Sequence, residues 1–217
     1  MSTLLDLDGT LLDHDTASVA AARVFHRTYL TKLEGNFESF LQRWGGIGSR
    51  YSSPEVPALR PDTAERRLRI RDIFGEDLSD IEADKYFATY YDAYLENWSL
   101  FPDALACLGR AARQGAVGVI TNGTSETQRA KLDRTRISGC FTLVLISCEV
   151  GVAKPDRRIF DLAVNELGPD CLYVGDSFES DVLGALSAGI APVWLQRVPL
   201  DREVPDGVRV IHNLAEL

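Results

Sequence analysis

Asp6 and Asp8 stand two positions apart where the apolar pair Leu4-Leu5 gives way to Gly9-Thr10. Alternate residues of a strand share a face, so this spacing sets two like charges side by side. The pair costs free energy unless a cation lies between the carboxylates or the two groups divide a task. Three more polar clusters follow apolar runs. They are Thr121-Asn122-Gly123 after GAVGVI, Lys154 in GVAKPDRRIF, and Asp176 with Asp181 in VGDSFESD after CLYV. Carboxylates, a hydroxyl and an ammonium gathered in one crevice would suit Mg2+ and phosphate. Mg2+ prefers hard oxygen ligands and is commonly held alongside substrate phosphate.

For these clusters to meet, the apolar runs must be neighbouring strands. Five runs, 3–5, 116–120, 142–146, 171–174 and 191–195, are β-rich and nearly all apolar, as strands covered on both faces are. Helical patterns alternate with the last four. Ser125 and Gln128 read as a capping box, and Pro155 as a first helical residue. Ile159, Phe160, Ala163 and Leu167 then form an apolar face that Gly168 ends. The expected fold class is α/β, a Rossmann-like doubly wound parallel sheet. In such a sheet the carboxyl ends of the strands share one edge, where positions 6, 8, 121 and 176 converge.

Residues 14–99 break the rhythm. They hold no strand pattern, but Phe37, Phe40, Leu41 and Trp44 recur at helical spacing, as do Phe87, Tyr90, Tyr91, Tyr94 and Trp98. The run GGIGSRYSSPEVPALRP reads as loop, and Arg50 and Tyr51 within it are candidates to face the site. The expected domains are a sheet domain of 1–13 with 100–217, and an inserted α-helical cap domain of 14–99. The aromatic stripe is read as cap core, the basic run Arg66 to Arg71 as a solvated helix face, and His14 and His26 as non-ligands.

Composition narrows the function. A net charge of -9 over 217 residues argues against nucleic acid and membrane surfaces as partners. It leaves room for a small anion, because a bound metal or one lysine reverses the local field. Cys107, Cys140, Cys148 and Cys171 show no metal-ligand spacing and read as reduced thiols. With no apolar run of membrane length and no signal-peptide pattern, the expected location is cytoplasmic.

Asp-x-Asp-Gly-Thr, a strand ending in Thr121, Lys154-Pro155 and Gly-Asp-Ser-x-x-x-Asp, in this order, resemble the four motifs of the haloacid dehalogenase-like (HAD) superfamily. The phrases ITNG, EVGVAKPDRRIF and VGDSFESDVLGALSAG look like its branch of pyrimidine 5'-nucleotidases and N-acylneuraminate-9-phosphatases. The resemblance implies Asp6 as nucleophile, Asp8 as general acid and base, and Lys154 as the cation neutralising nucleophile and phosphate. It implies Mg2+ held by the Asp6 carboxylate, the Asp8 backbone carbonyl and Asp176. Asp181 would support the metal, and Thr121 with the amide of Asn122 would bind phosphoryl oxygens. The implied activity is a Mg2+-dependent phosphatase, acting through an aspartyl-phosphate on a small phosphorylated metabolite such as a nucleoside 5'-monophosphate. The chain would be a monomer or homodimer. A phosphosugar mutase and a non-catalytic binding module are the competing readings.

Overall fold

Short, nearly all-apolar segments form the strands β1 (Ser2–Leu5), β2 (Val117–Thr121), β3 (Leu143–Ile146), β4 (Cys171–Gly175) and β5 (Ala191–Leu195), and a sixth, β6 (Arg209–Ile211), completes the sheet. The computed structural model that shows them describes residues 1–51, 62–75 and 77–217, with the side chains of 47–51 and 62 outside the described set. All five pairings are parallel, in the order β3-β2-β1-β4-β5-β6. β6 is absent from the sequence reading because its three residues are too few to show a pattern, and Arg209 is exposed at the sheet's edge. The chain divides into two compact units, Met1–Asp13 with Ser99–Leu217, and His14–Trp98. Ser99 groups with the sheet unit, where its carbonyl accepts from the Asp13 N–H at 2.9 Å.

The second unit holds α1 (His14–Thr28), α2 (Phe37–Tyr51), α3 (Asp62–Phe74) and α4 (Asp80–Glu96). Its core is aromatic, as the sequence stripes predict: Phe25, Phe40, Trp44, Phe87, Tyr90 and Tyr94 are buried together. Two expectations need correction. First, α2 runs through Gly45-Gly46 to Tyr51, so the loop expected from residue 45 is helix up to there, and the rest of that run, 52–61, lies outside the described residues. The side chains of Arg50 and Tyr51 are outside them too. The Trp44 side of α2 carries the helix past the glycines, since burial of an apolar face outweighs a propensity cost of about 1 kcal/mol per glycine. Second, the basic run on α3 is no solvated face. Arg66 lies over the rings of Phe87 and Tyr91, 5.1 and 4.7 Å from their centroids. Arg67 donates to both oxygens of Asp84 at 2.7 and 2.6 Å, tying α3 to α4.

The sheet unit adds α5 (Ala104–Gln114), α6 (Ser125–Arg134), α7 (Ser147–Val150), α8 (Arg157–Leu167) and α9 (Gly184–Ser187). Leu4, Ile120, Ile159, Phe160, Ala163 and Tyr173 form one buried cluster, with the Phe160 ring edge-on to Tyr173 at 5.1 Å. Full burial of each large apolar side chain contributes about 1.5–3 kcal/mol. Pro155 stands outside α8, whose cap is Asp156: its Oδ1 accepts the Arg158 N–H at 3.0 Å. The Lys154–Pro155 peptide is cis. The strand order runs outwards in opposite directions from β1 and β4. This is the reversal at which an open α/β sheet leaves a crevice beyond its carboxyl ends.

Candidate active site

β1 and β4 flank the reversal, and each is followed at once by an acidic residue, Asp6 and Asp176. The Asp6 N–H still bonds the Val174 carbonyl at 2.9 Å, so Asp6 is the last ladder position before the chain turns away. Gly9 makes that turn with φ +80°, and a Cβ there would lie 2.3 Å from a carboxylate oxygen of Asp176. Only glycine fits both demands. Seven residues expected from the sequence, Asp6, Asp8, Thr121, Asn122, Lys154, Asp176 and Asp181, line one cavity of about 230 Å³ together with Ser177 and Ser180.

Asp6 and Asp8 are not the side-by-side pair that strand alternation predicts, because β1 ends at Leu5 and the two carboxylates are held by different partners. Asp6 is buried, and its Oδ1 accepts from Lys154 Nζ at 2.5 Å. The same ammonium donates to Asp181 Oδ1 at 2.6 Å and to the Tyr173 hydroxyl at 3.0 Å. The Tyr173 hydroxyl in turn donates to Asp181 Oδ1 at 2.8 Å. Asp181 is therefore no surface charge; it is 1% exposed, and its Oδ2 accepts the Ser177 N–H at 3.0 Å. It reaches this position through a π-helical turn, Phe178–Leu183, which Ser177 caps. Gly175 makes room: a Cβ there would lie 2.3 Å from the Asp181 carboxyl carbon. Asp176 is thus not the cap of that turn. Its carbonyl accepts the Trp194 indole N–H at 2.9 Å, which fixes the backbone that presents its carboxylate.

Burial works against the charge on Lys154, but Asp181 and Asp6 outweigh it and hold the ammonium well above the ordinary lysine range. Burial pushes the Asp6 carboxyl up; Lys154 opposes this, while Asp181 and Asp176 reinforce it. Burial, then the charges of Asp181 and Asp6, keep the Tyr173 phenol protonated as a donor. Burial is the largest cause of the Asp6 shift, and the surplus negative charge of the neighbouring Asp181 and Asp176 carboxylates adds to it. Oxygens of Asp6, Asp176 and Asp181 lie within 4.8 Å of one another, and a divalent cation among them would cancel the surplus. The donor set fits a hard cation on charge and on ligand type.

Asp8 faces other partners. Lys131 Nζ donates to its two oxygens at 2.8 and 2.7 Å, and Gln128 Nε2 donates to Oδ2 at 3.0 Å. Gln128 also donates to Thr121 Oγ1 at 2.6 Å. Neither α6 residue is among those expected from the sequence, because Gln128 reads there as a capping partner of Ser125. The cap of α6 is instead Thr124, which accepts the Thr127 N–H, while Ser125 donates to Glu149. α6 buries Gln128, Lys131 and Leu132, so its inward face is mainly polar, which its local sequence pattern does not reveal. Tyr173 was hidden inside an apolar strand. Asn122 uses its side chain to pin the Lys154 peptide. Its Oδ1 accepts the Lys154 N–H and its Nδ2 donates to the Lys154 carbonyl, both at 2.9 Å.

The chain can now be set beside known proteins. It is 40% identical over 141 residues to pyrimidine 5'-nucleotidase YjjG of Escherichia coli (strain K12), covering 63% of this chain and 62% of that protein. It is 34% identical to phosphoserine phosphatase of Thermus thermophilus, across 95% of this chain and 94% of the relative. N-acylneuraminate-9-phosphatase of Homo sapiens is 32% identical over 54% of this chain and 50% of its own length. The chain thus spans less than two thirds of the nucleotidase and half of the human enzyme. The solved structure of HAD-hydrolase YfnB from Bacillus subtilis superposes with a TM-score of 0.77 at 20% identity, covering 99% of this chain and 95% of that one, a likeness of fold. The family profile of haloacid dehalogenase-like hydrolases matches residues 3–189, a span that takes in all four polar clusters. The chain belongs to the haloacid dehalogenase-like hydrolases.

Proposed function

We propose that this protein is a Mg2+-dependent phosphatase that hydrolyses a small phosphate monoester through an aspartyl-phosphate on Asp6. The observation that carries the reading is the division between the two aspartates. Asp6 lies buried against Lys154 beside Asp176 and Asp181, while Asp8 is held on Lys131 and Gln128. This division supports Asp6 for attack and Asp8 for proton transfer.

In the first step an Asp6 oxygen attacks phosphorus and the ester P–O bond breaks, with the departing oxygen taking a proton from the Asp8 carboxyl. In the second, water attacks phosphorus and gives its proton to Asp8. The bond to Asp6 then breaks, releasing phosphate and restoring both groups. Lys154 offsets charge on Asp6 and the phosphoryl oxygens, and Thr121 with the amide of Asn122 orients those oxygens. Asp6, Asp176 and the Asp8 carbonyl would hold Mg2+, with Asp181 steadying the set. When bound, the ion supplies charge neutralisation of the transferring group.

The family's phosphatase relatives support the reaction class. The nucleotidase relative supports a nucleoside 5'-monophosphate, and the near-full-length likeness to the Thermus phosphoserine phosphatase puts phosphoserine beside it. The helical unit would act as the cap. The test is phosphate release from pyrimidine nucleoside 5'-monophosphates, phosphoserine, hexose phosphates and p-nitrophenyl phosphate, with Mg2+ and with EDTA. Free phosphate only with Mg2+ is expected. Isomerised hexose phosphate would establish a mutase instead, and Mg2+ binding without turnover of any ester would establish a binding module.

A further inference from the structure

Asp8 sits two residues from Asp6, yet its carboxylate is not part of the acidic cluster formed by Asp6, Asp176 and Asp181. The cause lies on α6. Lys131, 4% exposed, places its ammonium against both Asp8 oxygens, and Gln128, 1% exposed, bridges Asp8 Oδ2 to the Thr121 hydroxyl. These are long side chains whose freedom is costly to lose, and burying an ammonium is costlier still. An ordinary surface pair would leave Lys131 in water. The two residues lie three apart on one helix, so they reach the same target from a single rigid support. That support is itself seated: α6 is capped by Thr124, which accepts the Thr127 N–H at 3.3 Å.

We infer that Lys131 and Gln128 are positioning residues for leaving-group departure. They hold the Asp8 carboxyl clear of the carboxylates beside Lys154, and in register with the phosphoryl-binding Thr121. This inference rests on the phosphatase reading above. Removing the support would let the Asp8 side chain turn among rotamers, and proton delivery to the departing oxygen would suffer first. Esters whose leaving group departs without a proton would suffer least.

The experiment compares kcat/KM for phenyl phosphate and p-nitrophenyl phosphate, two esters of similar shape whose leaving groups differ in need of a proton. Wild type, Lys131→Met, Lys131→Arg and Gln128→Met are measured with Mg2+, with melting midpoints alongside. Lys131→Met is expected to lower kcat/KM for phenyl phosphate at least about tenfold more than for p-nitrophenyl phosphate, the size of a misplaced acid catalyst's effect. Lys131→Arg should restore part of that difference, and Gln128→Met should show a smaller version of it. Equal losses on both esters, or no loss, in the folded variants would overturn the inference while leaving the phosphatase reading standing. Should Lys131→Met fail to fold, Gln128→Met decides by the same ratio. Wild-type protein that cleaves neither ester would overturn the phosphatase reading, and this inference with it.

Discussion

In the sheet unit the ammonium groups of Lys131 and Lys154 are almost sealed from water, at 4% and 3% exposure, and each meets carboxylates. In the helical unit Arg66, Arg67 and Arg71 stay half-buried, spread over aromatic rings or reaching along α4. The contrast separates two uses of positive charge. A sealed cation persists only where carboxylates compensate it, and because such a pair adds little stability over an apolar replacement, its presence points to a task other than packing. Half-buried guanidinium groups add ring contacts and weak ion pairs, each about 1 kcal/mol or less, which suits a packing role. The sealed ammonium groups meet Asp6, Asp8 and Asp181 of the candidate site, whereas the guanidinium groups of α3 pack the helical unit.

The sharpest break in this contrast would come from Asp6. Asp6→Asn is expected to lower turnover of p-nitrophenyl phosphate about a thousandfold or more, with the melting midpoint barely changed. A variant that kept its turnover would remove Asp6 as nucleophile. The counterpart in the helical unit is Phe25→Ala, which empties the centre of the aromatic core, where Phe25 is 0% exposed. Urea unfolding should show a loss of about 3–5 kcal/mol. Asp181→Asn tests whether a buried partner tunes the metal: the Mg2+ concentration for half-maximal activity should rise about 10–100-fold.

A smaller effect belongs to Asp103. Burial works against its charge, but the Arg197 guanidinium and the Leu214 N–H outweigh it and set the carboxyl below the usual range. A depressed carboxylate stabilises the fold above its unfolded pKa of about 4, and that share is lost as pH falls through the folded value. Wild type should thus exceed Asp103→Asn in stability at pH 7, and the gap should close in thermal melts below about pH 4. The smallest change is a gain. A Cβ at Gly46 meets nothing within 4 Å, so Gly46→Ala within α2 should stabilise by about 0.5–1 kcal/mol.

Most of the residues that were legible in the sequence follow an apolar run that reads as a buried strand. Asp6, Thr121 and Asp176 lie at or just beyond strand ends, so strand recognition was enough to bring them to one edge. Lys154 came from its place before Pro155 and α8. What stayed hidden depends on contacts that no local pattern encodes. Gln128 and Lys131 point inward because Asp8, more than a hundred positions earlier, needs them there. Tyr173 looks like any strand residue until its hydroxyl is seen between Lys154 and Asp181. The α3 arginines were misread because α3 alone does not reveal that α4 offers rings and carboxylates to them. The short β6 had too few residues to be seen at all.

The place of β1 has a consequence for biosynthesis. It pairs with β2 at Thr3↔Val117 and with β4 at Thr3↔Leu172, so both neighbours leave the ribosome long after it does. Closing such distant pairings is entropically slow, and an unpaired apolar strand is prone to stray association meanwhile. Asp6 therefore gains its setting only once translation has passed Gly175, and a nascent chain halted earlier would carry the segment without the sheet around it.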